Sequence, residues 1–182
     1  MLRVKHGDRE AFSVLVANYK NRLIGVFTHL LQDHNAAEDL AQEVFLRIYK
    51  SRKRYQPTAN FSSWLFRIAN NLASNVWRSR RIRKEVPLEI HPRIPSVEQS
   101  LVDPSDTIPC QQMENGELGD VVRYALSTLN ERQRTAIVLH NYEGMPYAEI
   151  GLAMQTTVPA VKALVFRAKR NLRDVLEHHL HQ

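Results

Sequence analysis

Apolar residues recur at helical spacing along most of the chain, and the breaks between them fall at residues that cap or interrupt helices. Phe12, Leu15, Val16, Tyr19, Leu23, Val26, Phe27 and Leu30 form one such stripe, with Asp8 placed to cap its start. After a turn at Gln32-Asp33-His34-Asn35, the pair Asn35 and Glu38 has the form of a capping box. It predicts a second helix with Leu40, Ala41, Phe45 and Ile48 inward, ending before Pro57, because the residue preceding proline is disfavoured in helix. A third helix is predicted from near Asn60 or Ser62. It turns Trp64, Leu65, Ile68, Leu72 and Val76 inward and runs into a dense basic stretch, Arg78 to Lys84.

From residue 85 to 116 the periodicity dissolves. Pro87, Pro92, Pro95, Pro104 and Pro109 interrupt any regular element, which predicts an extended, mobile linker. Helical spacing resumes with Leu118, Val121, Val122, Ala125 and Leu129. Asn130 with Gln133 caps the next helix, Ala136, Ile137 and Leu139 face inward, and Gly144 ends it. A short helix from Pro146 to Met154, a tight turn at Gln155-Thr156-Thr157 and a long helix from Val158 towards Leu176 make a helix-turn-helix pattern. The expected fold is all-α: a helical bundle over 1–84, a linker over 85–116 and a helix-turn-helix domain over 117–182.

Charge sharpens this division. The net charge of +6 is distributed as +10 over residues 1–84, −7 over 85–120 and +3 over 121–182. Two basic ends around an acidic middle point to nucleic-acid contact at the ends. Cys110 is the single cysteine, so neither an internal disulfide nor a redox pair is expected. His178, His179 and His181 read as a solvated tail and not as a metal site. No apolar run reaches the roughly 20 residues that span a bilayer. The opening MLRVKHGDREAF has no signal-peptide core, so the expected location is the cytoplasm, without membrane insertion. No phosphate-binding glycine loop, nucleophile or paired-carboxylate motif stands out. An enzyme is not expected.

In the long C-terminal helix, Val161, Leu164, Ala168, Leu172 and Val175 share one face, as core packing requires. The N-terminal part of such a helix enters the major groove, and basic residues further along neutralise phosphates. The candidate DNA-reading set is Thr157, Ala160, Lys162, Ala163, Phe166, Arg167, Lys169 and Arg170. Thr157 and the free amides of the first turn can also hold a phosphate.

Four segments carry a more specific resemblance. GDREAF at 7–12, AEDLAQEVFLRIY at 37–49, FSSWLFRIANNLASNVWRSRRIR at 61–83 and ALSTLNERQRTAIVLHNYEGMPYAEIG at 125–151 stand in the order found in extracytoplasmic-function sigma factors, which the chain resembles. The resemblance implies core RNA polymerase and promoter DNA as partners, an anti-sigma factor as a common inhibitor in the family, and no cofactor. It implies that Glu38, Asp39, Gln42 and Glu43 grip the clamp helices of the polymerase's largest subunit. The loop from Tyr55 to Phe61 would form the pocket for a flipped minus-10 base, with Tyr55 and Phe61 as stackers and Asn71 and Asn75 as polar contacts. Arg67, Arg78, Arg80, Arg81, Arg83 and Lys84 would hold the DNA backbone, and the helix-turn-helix would read the minus-35 element. The acidic linker would thread the RNA exit path.

Two features depart from the family pattern. Ala160, Ala163 and Leu164 stand where polar residues are common, so minus-35 contact would rest on phosphates, shape and methyl contact with thymine. Gly151 replaces a usual alanine, at about 1 kcal/mol of helix propensity. The competing reading is a stand-alone helix-turn-helix regulator with an N-terminal sensing or dimerisation domain. AEDLAQEVF followed by WLFRIANN argues against it, since sensing needs neither.

Overall fold

Several helices of the protein start where a short polar side chain or a proline can open them: Asp8, Asp33, Asn130 and Pro146. The computed structural model describes residues 1–85 and 117–180. The elements are α1 (Leu2–Lys5), α2 (Arg9–Leu31), α3 (His34–Ser51) with a 3₁₀ turn Arg52–Arg54, and α4 (Phe61–Glu85). They continue with α5 (Glu117–Thr128), α6 (Glu131–Ile137) passing into a π-helical turn Val138–Tyr142, α7 (Tyr147–Ala153) and α8 (Val158–Leu180). The all-α expectation holds, with no strand among the described residues. The proposed linker between Glu85 and Glu117, Cys110 and the side chains of Arg83, Lys84 and the histidine tail lie outside the described residues.

Asp8 caps α2 as expected, accepting from the Ala11 amide at 2.9 Å, and Asn130 caps α6 through the Gln133 amide at 2.9 Å. The cap of α3 is a correction. It is Asp33 and not Asn35, with Oδ1 accepting from the Ala36 amide at 3.0 Å. The preceding Gln32, at φ 55°, closes α2 in the left-handed region, and only Gln32 and Asp33 stand between the helices. A turn this short puts Asp33 in the extended cap conformation and Asn35 already inside the helix. α1 had no counterpart in the hydrophobic pattern. Its Val4 is fully buried, and its Lys5 ammonium donates to the Tyr55 carbonyl at 2.9 Å.

In the N-terminal half, α2, α3 and α4 bury Leu23, Phe27, Leu30, Val44, Ile48, Leu65 and Phe66. In the C-terminal half, α6, the π-helical turn, α7 and α8 bury Ile137, Leu139, Ile150, Val161, Val165 and Ala168. Val165 takes the core position expected of Leu164, which is only half-buried, and Val122 faces solvent. The two sets join into one continuous apolar cluster, because α4 packs along α7 and α2 meets the π-helical turn. Gly151 has a packing reason that propensity did not show. A Cβ there would lie 3.0 Å from the Thr156 carbonyl, tighter than ordinary contact.

The cap assignment is directly checkable. Asp33→Ala is expected to lower stability by about 1 kcal/mol, and Asn35→Ala to change it by less than about 0.5 kcal/mol, in denaturant unfolding of the full chain.

Candidate polymerase and promoter surfaces

The acidic face of α3 exists because Ala37, Ala41, Val44, Phe45 and Ile48 take the buried side. Glu38, Asp39 and Gln42 are exposed on the other side. Glu43 is half-buried and paired with Arg47 one turn on, at 2.7 Å, and this hydrogen bond holds its carboxyl below the usual range. The same face carries Leu46, 52% exposed, one turn beyond Gln42. Sequence reasoning missed it, although the four-residue step from Gln42 placed it there. An exposed leucine among carboxylates gives the face an apolar contact as well as charge.

The loop between the 3₁₀ turn and α4 is arranged differently from the stacking expectation. Tyr55 is 6% exposed, with its ring edge-on to Trp64 at 4.9 Å and near Phe61 at 6.3 Å. Phe61 in turn meets Tyr19 at 5.3 Å. Burial also raises the Tyr55 phenol above its ordinary pKa. These rings form the floor under the loop, so in this arrangement Tyr55 presents no free face to a base and Phe61 only a partial one. What the loop exposes is Gln56 to Asn60. Trp64 packs against the core as expected, and Trp77 is buried.

Along α4, Arg67, Asn71, Asn75 and Arg78 are all exposed at steps of four, four and three residues. They therefore share one stripe, about 16 Å long. Near its end, Asn75 and Arg80 meet Leu40 and Arg47 across a groove of about 360 Å³ between α3 and α4. Arg80 is already engaged, donating to the Leu31 carbonyl and to Asp33, both at 3.3 Å. Arg81 is exposed and also has interactions within the chain.

On the C-terminal half, α7, a turn with Gln155 at φ 52°, and α8 give the helix-turn-helix geometry. Thr157 accepts from the Ala160 amide at 3.4 Å, at the mouth of α8. Lys162, Ala163, Phe166, Arg167, Lys169 and Arg170 are exposed, and Ala160 is half-buried. Phe166, at 70% exposure, is a large apolar side chain standing among cations.

Comparison with known proteins decides the family. Residues 15–83 match the family model for sigma-70 region 2, and residues 120–172 match that for sigma-70 region 4. The RNA polymerase sigma-H factor of Pseudomonas aeruginosa is 31% identical over 177 residues, covering 96% of this chain and 91% of its own length. The ECF RNA polymerase sigma-E factor of Haemophilus influenzae is 33% identical, covering 96% and 92%. The chain belongs to the extracytoplasmic-function sigma factors. Its class directs RNA polymerase to promoters, where transcription starts. The fold of this sigma factor is similar to that of CnrH in its complex with the cytosolic domain of CnrY. The TM-score is 0.70 at 21% identity, over 97% of this chain and 94% of that one. It is also similar to RpoE of Bartonella quintana in complex with the anti-sigma factor NepR, with a TM-score of 0.66 at 23% identity, over 92% and 98%.

In this sigma factor, region 2 and region 4 touch through specific groups. Arg22 of α2 pairs with Glu143 at 2.6 and 2.8 Å, and the Glu143 side chain is 3% exposed. Arg134 donates to the Leu30 carbonyl at 2.9 Å, and Gln32 to the Arg123 carbonyl at 2.6 Å. Glu149 of α7 accepts from Asn60 at 2.5 Å, Ser62 at 2.9 Å and Ser63 at 3.3 Å, at the start of α4.

Burial raises the Glu143 carboxyl above its ordinary range, outweighing the opposing pull of Arg22. A carboxyl that holds its proton more tightly when folded adds stability below its ordinary pKa and loses it as pH rises through the raised value. Arg22→Met removes the one opposing cation. It is expected to lower the thermal midpoint more at pH 8, where Glu143 would be charged and unpaired, than at pH 5.

Proposed function

We propose that this chain binds core RNA polymerase through the exposed face of α3, engages the minus-10 element through residues 56–60 and the stripe on α4, and reads the minus-35 element with α8. The observation that carries the reading is the presence of three exposed surfaces of different chemistry on separate helices. One is acidic with an apolar leucine, one is cationic and amide-bearing, and one lies at a helix-turn-helix. Acidic groups suit a basic protein partner, whereas Arg67 and Arg78 flanking Asn71 and Asn75 suit a strand held by its phosphates and touched at its base edges. Arg80, Arg81, Arg83 and Lys84 would extend that stripe towards the DNA backbone.

On α8, Lys162, Arg167, Lys169 and Arg170 supply phosphate contacts, and Thr157 holds the first turn. Ala160, Ala163 and Phe166 offer only apolar contact to base edges, so discrimination at minus-35 rests on thymine methyl groups and DNA shape. The chain adds no catalysis of its own on this reading and acts in the cytoplasm with the polymerase. The structural relative from Bartonella quintana is bound by an anti-sigma factor, and a comparable inhibitor is proposed here. No helix among the described residues is long and apolar enough to cross a membrane.

Two measurements test these assignments. Replacing Glu38, Asp39, Gln42 and Glu43 together by alanine should abolish co-elution with core polymerase and run-off transcription while leaving the helical circular dichroism unchanged. Retained core binding would remove α3 from the interface. Replacing Lys162, Arg167 and Arg170 by alanine should flatten the salt dependence of minus-35 binding by roughly 0.9 in logarithmic slope per lost phosphate contact, with little change in sequence preference.

A further inference from the structure

Between Glu43 and Glu85 the sequence has no acidic residue, and its cations there serve different surfaces. Arg47 pairs with Glu43. Arg67, Arg78, Arg80, Arg81, Arg83 and Lys84 belong to α4 and its proposed DNA stripe. Lys50, Arg52, Lys53 and Arg54 crowd four cations into five residues, at the end of α3 and in the 3₁₀ turn, and the proposed function leaves them unused. Lys50, Lys53 and Arg54 are exposed, and none has a carboxylate partner among the described residues. Like charges packed this closely raise the local potential, which a polyanion relieves.

The position of the cluster narrows the choice of polyanion. Arg54 is two residues from Gln56, where the exposed loop assigned to the minus-10 element begins, so the two lie within about 7 Å along the chain. Tyr55 between them is fixed, with its ring buried and its carbonyl accepting from Lys5 of α1 at 2.9 Å. The basic turn and the loop are therefore held side by side.

Arg52 favours an unpaired strand. Its guanidinium lies over the Tyr49 ring, 3.9 Å from the centroid, and donates to the Tyr49 carbonyl at 2.6 Å. A guanidinium pinned over a ring offers a stacking plane that an unpaired base can use, whereas the stacked bases of a duplex cannot.

The direction of the strand follows from the order of the elements. The minus-35 element lies on the 5′ side of the minus-10 element, and the chain leaves for the helix-turn-helix half from the far end of α4. The basic turn stands at the opposite end of α4, beyond the loop, where the strand continues on its 3′ side. From Lys50 to Arg54 the chain advances about 7 Å, enough for about two or three nucleotides at 3.4 Å each.

We infer that Lys50, Arg52, Lys53 and Arg54 form a second single-strand subsite, which holds the nucleotides immediately 3′ of the minus-10 element on the strand that the loop engages. The inference rests on the proposed function for the assignment of the loop.

The test uses the full chain with core polymerase and fluorescent single strands read by anisotropy. The strands come from a genomic promoter that this holoenzyme transcribes in run-off assays: the minus-10 segment alone, the segment extended by five nucleotides on its 3′ side, and the segment extended by five on its 5′ side. With the unchanged chain, the 3′ extension should tighten binding about tenfold. Combining Lys50→Ala, Lys53→Ala and Arg54→Ala should reduce that gain to about twofold and flatten its salt dependence by roughly 0.7 in logarithmic slope per lost phosphate contact. Binding of the other two strands should change less than twofold, which shows that the variant remains folded. Lys50→Arg with Lys53→Arg should keep the gain. Arg52→Lys, which retains the charge without the plane, should bind the 3′-extended strand about threefold more weakly, and unchanged affinity would overturn the stacking role. An undiminished gain in the triple variant, an equal loss on all three strands, or a loss confined to the 5′-extended strand would overturn the subsite. So would loss of binding to phosphatidylglycerol vesicles without any change on DNA, which would assign the cluster to a membrane surface. If the unchanged holoenzyme does not hold even the minus-10 segment, the proposed function fails; if it holds the segment and gains nothing from the 3′ extension, only the subsite fails.

Discussion

The helical repeat of α4 is the constraint on which the other features depend. One helix of 25 residues presents three different faces at once. Leu65, Phe66, Ala69, Leu72, Ala73 and Trp77 are buried against the chain's core. Arg67, Asn71, Asn75 and Arg78 are thereby turned to solvent, because residues three and four apart share a face. The first turn, with Ser62 and Ser63, is left to meet α7. Shifting the register of α4 by one residue would rotate all three faces together, so the core packing of this helix also aims its polar stripe.

The contact between the two halves depends on chemistry of a different kind. Polar pairs accompany the apolar packing of α4 on α7, and Gly25 leaves room for the Tyr142 side chain. The π-helical turn Val138–Tyr142 widens the end of α6 and brings Tyr142 and Glu143 outward to α2, before Gly144 reverses the chain at φ 65°. Burying Glu143 carries a desolvation penalty, which the Arg22 guanidinium offsets only in part. These polar pairs lie beside the apolar cluster that the two halves share.

The helix-turn-helix shows the opposite allocation. Its turn is tightly specified, with Gly151 admitting the Thr156 carbonyl and Gln155 in the left-handed region. Its exposed face is chemically plain, since alanines and one phenylalanine stand between the cations. The placement of α8 is therefore well determined, while hydrogen-bond readout of bases has few donors to use.

Most of the helices, though not α1, most of their buried faces and two of three caps were legible along the chain. These follow from local rules: a period of 3.6 residues, the geometry of a cap, the missing amide of proline. The segment from Ala37 to Arg83 also carried the family, because its motifs combine spacing with residue type. Only the tertiary structure decided the rest. Tyr55 reads as an exposed aromatic until Trp64 and Phe61 are seen to cover it. Glu149 and Gly25 have no partner legible along the chain, since theirs lie 89 residues away at Asn60 and in the other half of the chain at Tyr142. Local periodicity specifies which face of a helix is buried, but which helix covers it depends on how the whole set packs.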